Sequence, residues 1–258
     1  MLALLKTKRS ALLLCAAIGA SACRDATGSN AAKRPITLSL TSQSQGAVAD
    51  RALADITITA GINTLVITKA QLIARRIELA PASVSGCAAM QESGDDDAAA
   101  EDGCAEVEVG PTLLDIPVNG ALATTLSASV PPGIYRALEI RIRPISSGNR
   151  SSQAFLLAHP EFKDVSVRIE GTFNGKAFVF TSAIDTRIEA AFSTPVTVDA
   201  TNPNVTVAID LSNWFSDGSG GTLDPANGSN AARISANIAG SFHAFEDDDH
   251  DGHDDHHR

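Results

Sequence analysis

Apolar and polar residues alternate along most of this chain, which is the pattern of strands that bury one face. Ile36, Leu38 and Leu40, for example, are separated by Thr37 and Ser39. Many further segments are rich in β-branched and apolar residues and are bounded by turn residues: 56–59, 64–68, 70–79, 107–109, 113–116, 123–130, 134–143, 167–173, 186–192, 196–199 and 205–211. About ten short strands with almost no helical periodicity predict an all-β fold, specifically an antiparallel β-sandwich.

The strongest local signal is Asn174-Gly175, which lies between two strand segments. A two-residue type I′ turn needs positive φ at both central positions, and Asn-Gly adopts it at low cost. The turn therefore predicts a hairpin in which Ile169 lies opposite Phe180 and Gly171 lies opposite Phe178. This register places the apolar side chains of both strands on one face.

The first 22 residues have the features of a secretory signal. A basic start is followed by an apolar stretch over residues 11–18, which is too short to span a bilayer, and by the small-residue exit Ala20-Ser21-Ala22. This exit followed by Cys23 resembles the lipobox of bacterial lipoproteins, which implies a lipid on Cys23 and attachment to a membrane. Ala20 stands where a larger aliphatic residue is usual, so free secretion after the same cleavage stays open.

The mature chain divides into a tether at residues 23–34, one β-sandwich domain at residues 35–245 and an acidic tail at residues 246–258. Export predicts a location in the bacterial cell envelope, on its periplasmic or cell-surface face. None of these segments carries a basic footprint for nucleic acid.

The formal net charge of −10 is concentrated in two segments. Residues 92–102 hold six acidic residues, and residues 246–258 hold seven acidic residues and one arginine. The first segment lies in a low-complexity loop, residues 88–103, between Cys87 and Cys104. An oxidising exported compartment favours a disulfide between these two cysteines. The chain-entropy model assigns such a closure about 3 kcal/mol.

The acidic tail contains the only dense group of metal-ligand side chains in the sequence. Its residues 247–252 match D-x-D-x-D-G, the first half of a calcium loop, in which alternate carboxylates converge on one ion and the glycine permits a sharp turn. In the same register His253 offers its backbone carbonyl and Asp255 offers its carboxylate at the ninth position. The twelfth position, where a calcium loop has a bidentate glutamate, is Arg258. The predicted ligands are Asp247, Asp249, Asp251, His253 and Asp255.

Two other interpretations of the tail stay open. Imidazole side chains favour softer ions such as zinc, copper or nickel, and the tail supplies His250, His253, His256 and His257. The tail is also compatible with a solvated acidic segment that binds no metal and keeps the protein soluble. Calcium and zinc are therefore the candidate cofactors.

Several segments form a recognisable set: 73–79 (IARRIEL), 113–117 (LLDIP), 130–135 (VPPGIY), the alternation at 138–142, and 169–175 (IEGTFNG), with further traces at 214–215, 223–225 and 241–245. Together they resemble a family of uncharacterised bacterial lipoproteins with a transthyretin-like or immunoglobulin-like sandwich, a domain of unknown function. The resemblance implies an exported sandwich and carries over no catalytic residue.

Catalytic motifs are absent from the sequence. It contains no G-x-S-x-G, no H-E-x-x-H, no P-loop and no dinucleotide fingerprint. We therefore predict a non-enzymatic, lipid-anchored binding or structural module. The alternatives are an adhesin or carbohydrate-binding sandwich, which needs an exposed aromatic or polar shelf, and a hydrolase, which needs carboxylates or a histidine converging in a cleft. A protein or glycan partner is left open.

Overall fold

The computed structural model describes residues 32–43, 55–83, 104–146, 148, 150–199 and 203–255, and most of these residues lie in strands. The strands are β1 (Arg34–Gln43), β2 (Ile56–Ala60), β3 (Asn63–Pro81), β4 (Ala105–Ile116), β5 (Ala123–Val130), β6 (Gly133–Ile142), β7 (Val167–Phe173), β8 (Lys176–Ser182), β9 (Thr186–Val198), β10 (Asn204–Asp210) and β11 (Phe242–Glu246). The all-β prediction is confirmed.

Short helices connect some of the strands. They are α1 (Arg150–Ala158), α2 (Leu211–Trp214) and α3 (Ala231–Ala239), with 3-10 turns at Pro160–Phe162 and Gly228–Asn230. The side chain of Asp210 caps α2 by accepting hydrogen bonds from the backbone N–H groups of Ser212 and Asn213. Within the described ranges, the helices lack the length and hydropathy needed to cross a bilayer.

The strands hydrogen-bond in the order β5-β1-β10-β11-β9-β6-β3-β7-β8, and β2 and β4 also pair with β3. β9 and β11 are linked by one residue pair, Phe192 with Ala244, so the sheet bends into two layers there. The prediction that the sandwich is antiparallel is wrong in this respect: β1 is parallel to β10, and β11 is parallel to β9. The alternating pattern predicts a strand but not the direction of its neighbour, and β1 finds its parallel partner far along the chain.

The largest apolar cluster of the described residues forms the main core. β1 and β10 contribute the buried side chains of Leu38 and Val207, and β3 contributes Leu72, Ile77 and others from one face of its 19 residues. The single tryptophan of the chain, Trp214, is fully buried and donates its indole N–H to Ser241. It therefore serves as an internal fluorescence reporter of folding.

The predicted β7–β8 hairpin is confirmed in its turn and in its register. Asn174 has φ 51° and Gly175 has φ 78°, and Ile169 pairs with Phe180. The Asn174 side chain also joins the neighbouring β2–β3 turn, because it accepts a 2.9 Å hydrogen bond from the backbone N–H of Thr64.

Charged side chains form two rows on the face of β3, β6 and β9 that points away from the main core, and three of them are buried. One row holds glutamates and the next holds arginines: Glu78, Glu139 and Glu189, then Arg76, Arg141 and Arg187. Like charges directly opposite each other are destabilising, but ion pairs between the rows offset this. Arg187 Nη1 lies 3.0 Å from Glu139 Oε2, and Arg76 Nη1 lies 3.1 Å from Glu78 Oε1. The glutamate row is therefore engaged in ion pairs within the sheet.

Tyr135, the only tyrosine of the chain, should resist ionisation in the folded protein. Burial raises the pKa of its phenol above the ordinary value, and its hydroxyl donates a 2.7 Å hydrogen bond to the carbonyl of Pro131. Because the unfolded chain ionises first, near about pH 10, the stability contributed by the neutral phenol is complete below that pH and is lost as the pH rises toward the folded value. Tyrosinate absorbance should therefore titrate at higher pH in the native protein than in denaturant, and equal midpoints would contradict this prediction.

Candidate metal centre

The acidic tail begins where β11 ends. β11 runs antiparallel to β10, and its last pair joins Glu246 to Val205. Val205 and Val207 point into the main core, so Asn204 and Thr206, which alternate with them, point to the other face of the sheet. Residues 247–255 fold back over that face.

Asp247 is the anchor of this loop and is completely buried. Its carboxylate accepts a 2.8 Å hydrogen bond from Thr206 Oγ1, and further bonds from the backbone N–H groups of Asp251 (2.9 Å) and Gly252 (3.1 Å). His250 and Gly252 have positive φ, 57° and 82°, and produce the turn that brings these N–H groups around. The local sequence therefore folds as a turn around one carboxylate.

Three carboxylate groups converge at this turn. Asp247, Asp249 and Asp251 each offer an oxygen, and these atoms lie within 4.8 Å of one another. Calcium ligands lie about 2.3–2.6 Å from the ion, so two ligands on opposite sides are at most about 5 Å apart. The observed spacing therefore fits oxygens arranged around one cation.

The surroundings of Asp247 disfavour its negative charge. Burial raises the pKa of the Asp247 carboxyl above its ordinary value, and the adjacent charge of Asp251 raises it further. The hydrogen bonds from Thr206 and Gly252 act in the opposite direction. A divalent cation at the cluster would favour the ionised form of Asp247.

The other predicted ligands are placed differently. Asp255 accepts a 2.7 Å hydrogen bond from the backbone N–H of Asp248, so it folds back toward the loop. The exposed side chains of His250 and His253 are not part of the carboxylate cluster, although the N–H of His253 donates to Asp251 Oδ1 at 2.9 Å. His256 and His257 lie outside the described residues.

Sequence reasoning missed the residues of the sheet that hold the loop. Asn204 and Thr206 are fully or almost fully buried, and Asn204 Nδ2 donates to Thr206 Oγ1 at 3.1 Å and to the carbonyl of Asp247 at 2.9 Å. Asn204 also accepts a 3.0 Å hydrogen bond from Ser39 Oγ of β1. The available signal was a pair of polar residues alternating with valines in an otherwise apolar strand.

Most of the N-terminal and cysteine predictions lie outside the described residues. This applies to the signal, to Cys23 and its lipid, and to Cys87 and the loop at 88–103. Cys104 is described, and it is half-buried against Ala80 and Ala137. The disulfide between Cys87 and Cys104 stays a prediction.

Two features of the described surface bear on the alternative functions. All phenylalanine, tyrosine and tryptophan residues of the chain are described, and each is buried or half-buried, so there is no exposed aromatic shelf. An open groove of about 360 Å³ runs beside β8, and Glu170 is its one titratable lining residue. Glu170 is paired with Arg168. This groove therefore brings no second titratable group beside Glu170.

Comparison with known proteins adds one structural likeness. No protein-family profile and no curated protein matches this chain. A solved structure that matches is MbnP from Methylosinus trichosporium, with 12% sequence identity and a TM-score of 0.43, over 83% of this chain and 99% of that one. At that identity and TM-score the likeness carries no inference about function.

Proposed function

We propose that this chain is a non-enzymatic β-sandwich module whose C-terminal loop binds a hard divalent cation of the calcium class. The observation that carries the proposal is that oxygens of Asp247, Asp249 and Asp251 lie within 4.8 Å of one another, with Asp247 buried and the other two exposed. Carboxylate and carbonyl oxygens are the ligands that calcium prefers. The D-x-D-x-D-G spacing allows one short segment to bring all three carboxylates together.

The remaining ligands come from the second half of the loop and from solvent. His253 supplies its backbone carbonyl, Asp255 acts through a water molecule, and further waters complete the shell. Arg258 stands where a bidentate glutamate would add two oxygens, so the affinity is weak. Calcium sites of extracellular modules bind at roughly 10⁻⁴ to 10⁻³ M, and we place this site in that range.

Calcium is favoured over zinc by the kind of atoms that converge. Zinc sites are built from imidazole and thiolate ligands in a tetrahedron. In the part of the chain that the structure describes, His250 and His253 stay outside the cluster. Zinc binding through the four tail histidines would be independent of this cluster, and the titration described next distinguishes it from calcium binding.

Calorimetric titration of the purified protein tests the proposal. We expect calcium to bind with one site per chain in the submillimolar to millimolar range. A D249N/D251N double variant should lose this binding by at least about tenfold, because two of the three carboxylates become neutral amides. Zinc should give the same heat in the wild type and in the double variant.

The control is Asp164→Asn, which removes one carboxylate from an exposed turn elsewhere. Asp164 has φ 58°, a conformation that asparagine also adopts, so the variant should fold and should bind calcium like the wild type. Calcium binding that survives in the double variant, or a complete lack of calcium binding in the wild type, would contradict the proposed site.

We further propose that the module is exported and held at the cell envelope by a lipid on Cys23. The support is the signal pattern of residues 1–22 and the tripeptide before Cys23. Mass spectrometry of the mature N-terminus should find a chain that begins at a diacylglyceryl-modified Cys23. Cys23→Ala should abolish labelling with palmitate, and an unmodified Cys23 N-terminus would instead establish free secretion.

A further inference from the structure

β8 lies at one end of the hydrogen-bonding order of the sheet. Among the described residues it pairs only with β7, over its whole length and without a register shift. The opposite end of the order is different, because β5 lies against β4. An edge strand presents unpaired N–H and C=O groups with which another strand can pair. The outer edge of β8 is therefore a surface to which a further strand can be added.

The hairpin geometry determines which backbone groups face this free edge. The type I′ turn makes Phe173 and Lys176 a hydrogen-bonded pair, and such pairs alternate with non-hydrogen-bonded pairs along an antiparallel ladder. Residues in the non-hydrogen-bonded pairs direct their N–H and C=O groups away from β7. In β8 these residues are Ala177, Val179 and Thr181, and all three are exposed.

β8 carries none of the features that usually protect an edge strand. Charged residues, prolines and bulges keep such an edge from pairing with other chains. The stretch from Ala177 to Ser182 has no charge and no proline, and its ladder with β7 has no bulge. Val179 lies in its middle with 56% of its surface exposed. An uncharged segment of β-branched and aromatic residues favours pairing with another strand.

The sequence of β8 is complementary to itself about Val179. In an antiparallel pair of two β8 strands, the register centred on Val179 is the one that uses all of the outward-facing groups. Val179 then faces Val179 of the second copy, and Ala177 faces Thr181 in both directions. Each of these pairs exchanges two backbone hydrogen bonds, so the register forms about six. The only charged residue of the strand, Lys176, faces Ser182, so no like charges are opposed.

We propose that β8 is a homodimer interface, at which β8 of a second copy of this chain pairs antiparallel and joins the two sheets. The self-complementary register favours a second copy over an unrelated peptide, because a two-fold contact closes after two chains and covers both free edges. A contact of two short strands lies at the low end of specific interfaces, below about 1,200 Å². The dimer is therefore in reversible equilibrium with the monomer. This inference is independent of the candidate cation site.

Sedimentation velocity of the purified protein over a wide range of concentrations tests the dimer. We expect the mass to rise from monomer to dimer with concentration. Val179→Pro should raise the dissociation constant of the dimer at least tenfold, because it removes the central outward N–H, and an edge strand accepts proline there. Val179→Lys should have the same effect, because it places two like charges opposite each other at the two-fold axis.

Ile62→Lys is the matched control for the lysine variant. Ile62 is 97% exposed and lies in the turn between β2 and β3, away from the edge of β8. This variant should dimerise like the wild type. Fluorescence of the buried Trp214 verifies that each variant is folded.

Disulfide formation between introduced cysteines tests the register. Residues in a hydrogen-bonded pair have Cα atoms about 5.5 Å apart, which is within the span of a disulfide, about 4.4–6.8 Å. Oxidised glutathione should therefore link two Val179→Cys chains through their introduced thiols. Ala177→Cys should not link to itself but should link to Thr181→Cys in a mixture. Peptide mapping separates these links from any that involve the native cysteines.

Three results would overturn the interface. They are a wild-type protein that stays monomeric at every concentration, a dimer that persists undiminished in folded Val179→Pro or Val179→Lys, and introduced cysteines that link in another register. Loss of dimer in both variants, retention in Ile62→Lys and the expected links together support it.

Discussion

Asp247→Asn should strongly weaken calcium binding while the sandwich stays folded. Asp247 is the one carboxylate that is fully buried at the centre of the turn, and asparagine keeps its size but not its charge. The new amide N–H₂ would also point at backbone N–H groups of the loop, which now donate to the carboxylate. We expect at least a tenfold loss of affinity, which is about 1.4 kcal/mol.

The thermal transition gives the measurement. Calcium at one hundred times the wild-type Kd stabilises the wild type by about 2.7 kcal/mol if it binds the folded state alone, and the variant should gain at most about 1.4 kcal/mol at the same concentration. Trp214 fluorescence follows the unfolding, since it is the single tryptophan and is fully buried. Thr206→Val is the comparison variant, because it removes one hydrogen bond to Asp247 and leaves all carboxylates in place. An equal calcium-induced gain in wild type and Asp247→Asn would show that Asp247 is not a ligand.

Gly171→Ala should destabilise the protein by about 3 kcal/mol or more, because a side chain has no room at this position. A Cβ atom on Gly171 would lie 1.9 Å from the carbonyl oxygen of Val66 and 3.2 Å from the Cα atom of Ile67. Both atoms belong to the backbone of β3, so the strand itself would have to move. Chemical denaturation followed by Trp214 fluorescence measures the change.

Gly133→Ala is the matched control for that experiment. Gly133 begins β6, and its added Cβ would meet only Tyr135 Cε2, at 3.8 Å. The substitution should leave stability unchanged or raise it by up to about 1 kcal/mol, because alanine lowers the conformational entropy of the unfolded chain. If both glycine variants lose the same stability, the cause lies in strand propensity and not in the close approach of β3 and β7.

The β7–β8 hairpin could be predicted because its information is local. Asn174-Gly175 determines the turn, and the alternation beside it determines which residues pair. The direction of β1 could not be predicted in this way, because its partner β10 lies more than 160 residues away and an alternating pattern is the same in either direction. Strand identity is local, whereas strand order depends on the whole chain.

The short helices were missed for a related reason. α3 buries Ile234 and Ile238, which are four residues apart and so share one face of a helix. Two large apolar residues in nine are a weak periodic signal, because the other seven are alanine, serine, asparagine and arginine. The helix forms because its apolar face completes the main core.

The candidate site was accessible from the sequence only in part. The spacing of Asp247, Asp249 and Asp251 within D-x-D-x-D-G predicts that their carboxylates can approach one another. The burial of Asp247 was not predictable, because it depends on Thr206 and Asn204, about forty residues earlier in the chain. A tail that is acidic by composition is held to the sheet by contacts that composition does not reveal.

The position of β10 between the first strand and the last one determines when the sheet can be completed. β1 is synthesised before its parallel partner, residues 204–210. The hydrogen bond from Ser39 to Asn204 joins residues that are 165 positions apart in the chain. Pairing at such separation forms slowly, and until then one edge of β1 stays open. A chain that is cut short before β10 cannot complete this layer, and its unpaired edge is a site for aggregation. The layer that contains β1 is therefore complete only when residues 204–210 are present, and chains truncated before them should be prone to aggregation.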